Sequence, residues 1–283
     1  MADVNRRLAE NVPGNWYVDS TCINCDTCRQ LAPETFGDSG EFSFVTSQPG
    51  DARQLDAARI ALVACPTGSI GTSDKTGLSA AADRFPLPIA HGVSYCGFNS
   101  PKSFGGNSYF VEHPEGNWLI DTPRFVERLV RRFEAKGGLR YIFLTHRDDV
   151  ADAALWARRF AAERIIHRLE LASQPESERV IDGFDAVEVA PEFLAIPTPG
   201  HTRGHMALLY RNRFLFSGDH MWWSRTRGRL SASRSVCWYS WPEQLKSLRR
   251  LQEFSFEWVL PGHGQRVCLP ADEIQRQVSA IAL

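Results

Sequence analysis

Long apolar runs are missing from this 283-residue chain. The longest, such as Tyr141 to Leu144 and Phe193 to Ile196, fall far short of the roughly 20 residues a membrane helix needs, which excludes such a span. An excess of charge of one sign is also missing. Lys and Arg number 32 against 33 Asp and Glu, so no global field draws the protein to nucleic acid or an acidic membrane, and any anion site has to be local. The N-terminus MADVNRRLAENVPGN has neither the apolar centre nor the small-residue cleavage site of a signal peptide, and a cytoplasmic protein is expected. Nor are the cysteines a paired set. There are seven, with three crowded into Cys22, Cys25 and Cys28, which suits metal ligands kept reduced and argues against a secreted disulfide framework. What remains is ordinary: 43% hydrophobic and 23% charged residues over a length that fits one large domain, or a large one with a small one.

The crowded cysteines have CxxCxxC spacing, and the next cysteine, Cys65, is followed at once by Pro66. Zinc sites usually take two CxxC knuckles. Three thiolates at this spacing can each hold one corner of an iron–sulfur cube while a distant Cys-Pro supplies the fourth. With Leu31 to Phe36 (LAPETF) and Ala64 to Ile70 (ACPTGSI) around them, residues 16–72 resemble a bacterial ferredoxin. Two-cluster ferredoxins continue the run with three residues and a further Cys-Pro. Here those positions are Ala32 and Pro33, so the resemblance implies one [4Fe-4S] cluster on Cys22, Cys25, Cys28 and Cys65, with zinc or plain burial as the competing readings. Cys96, Cys237 and Cys268 have no partner at ligand spacing and are expected in the core. Residues 73–88, small, polar and proline-ended, read as a linker between a domain of residues 1–72 and one of residues 89–283.

From residue 89 short strands alternate with amphipathic helices. NSYFV and NWLID read as strands; Arg124 to Lys136 has a helical stripe; YIFLT, Asp149 to Glu163 and RIIH read as strand, helix, strand. His146 and His167 each fall just past a strand, where ligands gather in such units. Farther on, TPGH, SGDH and PGHG place His201, Asp219 and His263 in glycine-flanked turns after apolar strands; glycine lets the backbone bend and bring a side chain to a metal. These turns, Thr145-His146 before them and Asp121 after the second strand resemble the metallo-β-lactamase superfamily over about residues 88–268. The resemblance implies an α/β fold, a four-layered αββα sandwich with the metals at its rim, behind a small α+β ferredoxin-like domain.

The family's THxHxDH loop is altered here. An ungapped match keeps His146, puts Asp148 in place of the second histidine, and leaves Val150 and Ala151 where the DH pair belongs. Two inserted residues recover Asp152 but leave Ala153 where the last histidine belongs. The likeness thus implies a first site of His146, Asp148, His201 and a bridging Asp219. It implies a second of Asp219, His263 and Asp152, completed or supported by His167. Asp148 and Asp149 also suit helix capping, and Asp152 suits the helix dipole. His205 is read as packing behind His201, and His220 as a hydrogen-bond donor to a ligand. A carboxylate in the second position resembles the flavodiiron branch, and oxygen-rich sets favour iron or manganese over zinc.

The segment after Asp219 alternates Arg225, Arg227, Arg229 and Arg234 with small residues, between Trp222, Trp223, Trp238, Tyr239 and Trp241. Guanidinium groups beside aromatic faces suit a small anionic substrate or docking to the acid-rich ferredoxin domain, ahead of nucleic acid. The expected protein is a metalloenzyme holding one cluster and one or two further ions of zinc, iron or manganese. A hydrolase of an ester, thioester or related bond is expected, with Asp219 and Asp152 at the reacting water. The alternative is an oxidoreductase whose cluster, served by a redox partner at the ferredoxin domain, feeds electrons to a non-haem iron site. No membrane partner is expected.

Overall fold

Asp51 opens the helix Ala52–Ala64 by accepting the Gln54 N–H at 2.8 Å. Pro66 forbids a further turn, so the helix stops and presents Cys65 at its end. Its buried Ala58 and Ala61 pack with Trp16, Val18, Phe36, Val45 and Ile70, the residues of two antiparallel pairs, Trp16–Val18 with Ile70–Thr72 and Phe36–Asp38 with Ser43–Val45. In this computed structural model, which describes residues 2–282, the helix belongs to the first of two compact units. That unit runs up to Glu115 and includes Pro123–Gly138; the other takes Gly116–Thr122 and everything from Leu139.

The first unit extends past residue 88, for reasons visible within it. Residues 73–88 hold the helix Leu78–Asp83, and Arg128, on the helix Glu127–Ala135, pairs with Asp83 at 2.7 Å and donates to Ser79 O at 2.9 Å. An antiparallel ribbon, Leu87–Ala90, Val93–Tyr95 and Tyr109–Val111, joins the same unit, with Phe110 stacked on Phe133 at 4.6 Å. The loop between its last two strands is fastened to the cysteine helix, since the Asn99 N–H donates to Ala64 O at 3.2 Å.

The second unit has two sheets. One is parallel: Trp118–Ile120, Tyr141–Phe143, Glu163–His167 and Arg179–Ile181. The other runs Val187–Ala190, Phe193–Pro197, Met206–Tyr210, Phe214–Gly218, Trp258–Pro261 and Val267–Cys268 in spatial order. Its central strands are apolar on both faces, as strands covered on both sides must be. On one face Ala207, Leu209 and Leu215 meet Leu248 and Leu251 of the helix Trp241–Leu251 and Ile274 and Val278 of the helix Ala271–Ala282. On the other, Phe193 stacks on Trp118 at 4.0 Å and on Tyr210 at 4.5 Å, which joins the two sheets face to face. Burying each such side chain is worth about 1.5–3 kcal/mol, so the sheets form a rigid base for the turns at their ends.

Two helices are shorter than the sequence suggests. Glu127–Ala135 begins after an extended Val126, and the helix expected over 149–163 covers only Ala153–Phe160, because Arg147–Asp149 winds as a tight 3-10 turn. Of the remaining cysteines Cys96 is buried, but Cys237 is half-buried and Cys268 exposed. No described helix is long and apolar enough to cross a membrane.

Candidate metal centres

Cys22, Cys25, Cys28 and Cys65 line one small pocket of the first unit, with Thr27, Ser43, Pro66 and Thr67. The loop coils tightly enough to aim three of them inward because Asn24 and Asp26 adopt positive φ, 58° and 67°, which Asn and Asp tolerate better than most residues. Arg29 pins Asp26, its Nε lying 2.7 Å from the carboxylate. Burial pushes the Cys25 thiol up to about 11, despite its hydrogen bond with Thr27, and pushes Cys28 up as well. Thiols raised this far hold their protons at neutral pH unless a metal takes their place. Ser43 N–H points at Cys22 Sγ at 3.4 Å, the kind of bond that stabilises a ligating sulfur. Four convergent, largely buried sulfurs with an amide donor beside them fit an iron–sulfur cube.

Gly105 closes over this pocket. It has φ +85°, and a Cβ there would lie 2.7 Å from Cys25 Cβ and 2.9 Å from its Sγ. Its carbonyl is held by the Asn99 amide at 2.7 Å. Gly105→Ala is therefore expected to lower cluster affinity at least about tenfold, read as visible absorbance per chain. Gly228→Ala, at φ +59° with open space around it and away from the cage, should leave the absorbance unchanged.

The second unit gathers imidazoles and carboxylates at the ends of its strands. His146 Nε2 lies 3.8 Å from Asp148 Oδ2 and 3.7 Å from Asp219 Oδ2; His201 Nε2 lies 3.7 and 3.6 Å from the same oxygens. His263 Nε2 lies 3.7 Å from Asp149 Oδ1 and 3.8 Å from Asp219 Oδ2. Ligand atoms of one ion stand this far apart when each bond is about 2.0–2.2 Å. The arrangement offers two candidate centres: His146, Asp148 and His201 converge in one, His146, Asp149 and Asp219 in the other, and His263 approaches the second through Asp149 and Asp219. Several of these atoms, His146 Nε2, His201 Nε2, both Asp149 oxygens and Asp219 Oδ1, are buried with no hydrogen-bond partner. Orphaned acceptors of this kind are costly, and cations at the two centres would satisfy them.

The support around the ligands is specific. His201 Nδ1 lies 2.6 Å from Val236 O, so that nitrogen donates and Nε2 is the one turned toward Asp148 and Asp219. Thr145, next to His146, is held through its N–H and hydroxyl by Asp121, each at 2.9 Å. Burial, together with the charge of Asp149, raises Asp121 well above the usual carboxylate range. His205 Nε2 accepts the Asp219 N–H at 3.2 Å while its Nδ1 lies 2.8 Å from Thr198 Oγ1, so it positions Asp219 as well as packing near His201. His220 is fully buried and neutral, its pKa brought down by desolvation to about 3. The His201 hydrogen bond lowers Asp148; burial would lower His263, but Asp219 and Asp149 outweigh it and hold it at about 10.

Two residues expected at the second centre stand apart from it. His167 spends both nitrogens on the backbone: Nδ1 accepts the Leu169 N–H at 3.1 Å and Nε2 donates to Gly183 O at 2.9 Å. Asp152 precedes the helix Ala153–Phe160 with its N–H on Thr122 Oγ1 at 3.1 Å, and among the described residues its carboxylate joins neither group of converging ligands. Asp149, read from sequence only as a cap, takes that place. Nothing in the sequence pattern marks Glu170, whose buried carboxylate accepts the Gly204 N–H at 2.6 Å and the Arg147 N–H at 3.3 Å, tying the His201 turn to the His146 turn. The arginine-rich segment forms a hairpin, Trp222–Ser224 with Arg229–Ser231, whose Arg225 donates to Gln265 Oε1 at 3.0 Å.

Two stacked sheets whose strand ends bring three imidazoles and three carboxylates together define a metal-binding protein of the hydrolase-fold class. The family model for the metallo-beta-lactamase superfamily matches residues 102–263, and that for the 4Fe-4S single cluster domain of ferredoxin I matches residues 18–72. The chain belongs to the metallo-β-lactamase superfamily and carries an N-terminal ferredoxin-type domain. It is 26% identical over 215 residues to the uncharacterized protein YobT of Bacillus subtilis (strain 168), covering 63% of this chain and 91% of that one. Among solved structures it shares its fold with the metallo-beta-lactamase family protein TTHA1429 from Thermus thermophilus, at a TM-score of 0.51, 16% identity and 69% and 79% of the two chains. It also does so with the metallo-beta-lactamase from Hirschia baltica, at 0.50, 17%, and 69% and 96%.

Proposed function

We propose that the protein is a metal-dependent hydrolase of an ester, thioester or related acyl bond. The observation that carries this reading is the set of orphaned ligand atoms around Asp219 Oδ2, which lies within 3.8 Å of three imidazoles. When bound, a metal pair lowers the pKa of a water and stabilises the oxyanion that forms on the acyl carbon. The chain's own residues prepare that chemistry. Val236 O fixes the His201 ring with Nε2 toward the carboxylates, Asp121 fixes the strand end before His146, and His205 orients Asp219. Asp148 is the half-exposed carboxylate of the set, and it supports entry of water and substrate on that side. A mixed set of three imidazoles and three carboxylates favours iron or manganese over zinc.

The same carboxylate richness, in a chain with a cluster cage, favours the oxidoreductase as a second reading. Metal analysis of anaerobically purified protein separates the two, with about four irons assigned to the cluster. The hydrolase reading expects ester or thioester hydrolysis that is lost on selective removal of the second-unit ions. It expects activity to return with a redox-inactive divalent cation. Return only with iron, together with reduction of that iron through the cluster, would sink it in favour of the alternative.

A further inference from the structure

Beside the His201 turn lies a groove of about 360 Å³, lined by Leu169, Phe184, Arg203, Tyr239 and Lys246 among others. That volume falls within the usual range for small-molecule pockets. Pro199 and Arg203 of its wall belong to the turn that carries His201, and the N–H groups of Trp238 and Tyr239 donate to His201 O at 2.9 and 3.0 Å.

Two properties of the groove point to a ligand. The first is apolar exposure. Leu169, Phe184 and Tyr239 in the groove are 43%, 50% and 47% exposed, and the adjoining Trp238 is 61% exposed. A patch of this kind beside a site marks a binding surface. The second is uncompensated charge. Lys246 is neutralised by Glu243 at 2.7 Å. Among the described residues, the Arg250 guanidinium by contrast bonds only the carbonyls of Phe184 and Pro197. Arg203 lies 5.6 Å from the Tyr239 ring centre, with no carboxylate partner among the described residues. The groove therefore offers two cations that lack a counter-ion, set among apolar and aromatic walls.

We infer that this groove holds the anionic arm of the substrate: an apolar or aromatic body against Leu169, Phe184 and Tyr239, ending in a carboxylate or phosphate at Arg203 and Arg250. This rests on the hydrolase reading for the bond that is cut, but not for the binding itself. The arginine hairpin around Arg225 is not part of this site.

Titration calorimetry of the metal-loaded protein with phenylbutyrate, phenylbutyl phosphate and neutral phenylbutanol tests it. At least one anion should bind about tenfold tighter than the alcohol, and Arg203→Gln should erase that preference. Arg225→Gln should leave it intact. A preference for the phosphate alone would assign phosphate as the terminal group; equal preference would assign the charge. Anions bound no better than the alcohol would overturn the inference, and so would a preference that survives Arg203→Gln, as direct coordination of a carboxylate by the ions would give. A protein that binds with this Arg203 dependence yet hydrolyses no ester or thioester keeps the groove and loses the hydrolase reading. Hydrolysis without the dependence does the reverse.

Discussion

Asp219→Asn should abolish most activity and release at least one second-unit ion per chain, leaving the cluster in place. Its Oδ2 is the oxygen that His146, His201 and His263 all approach, at 3.7, 3.6 and 3.8 Å. An amide keeps the shape of the carboxylate but removes the negative charge and replaces one acceptor with a donor. In a buried setting, where Asp219 Oδ1 has no hydrogen-bond partner, that donor would point at the cations and could not coordinate them. Losing about 4 kcal/mol of the transition-state stabilisation a metal pair supplies corresponds to about a 10³-fold fall in kcat/KM. Metal content by mass spectrometry and esterase kinetics on the same sample check the two halves of the expectation. A variant that keeps both its ions and its rate would remove Asp219 from the centre. Gly262→Ala provides an independent approach to the same point, since a Cβ there would meet Asp149 Oδ2 at 2.6 Å and Asp219 Oδ1 at 2.7 Å.

Cys28→Ser is expected to remove the cluster altogether. Cys28 is among the most buried of the four cage sulfurs, 8% exposed, and it sits in the core of the first unit beside Trp16 and Ile70. A hydroxyl there is a poor ligand for iron. Visible absorbance should vanish, and because ligand binding to such a cage is also folding energy, the unit should become sensitive to protease. Hydrolysis of the ester substrate should persist, since breaking an acyl bond with water moves no electrons. If it disappears, wild-type protein assayed oxidised and reduced distinguishes the causes: equal rates point to a structural cage, unequal rates to a redox role.

The N-terminal cage was the most legible part of the chain. CxxCxxC followed by a distant Cys-Pro is a local spacing rule, and the helix end that presents Cys65 follows from Pro66 alone. His201, Asp219 and His263 were legible for a related reason. Each occupies a glycine turn after an apolar strand, and strand ends of such folds meet at one rim. His167 satisfied the same rule yet lies elsewhere, because the chain turns immediately into the 3-10 segment Arg168–Ser173 and the ring caps it.

Sequence alone thus pointed to which residue types stand as candidate metal ligands and roughly where along the chain they lie. Tertiary structure decided which carboxylate serves which centre. Arg147–Asp149 is a 3-10 turn, with three residues per turn, so the neighbouring Asp148 and Asp149 point about 120° apart. The half-exposed Asp148 reaches His146 and His201, and the fully buried Asp149 reaches His263. The role of Glu170, which joins two turns far apart in the chain, has likewise no local signature: it exists only once the strands before those turns lie in place.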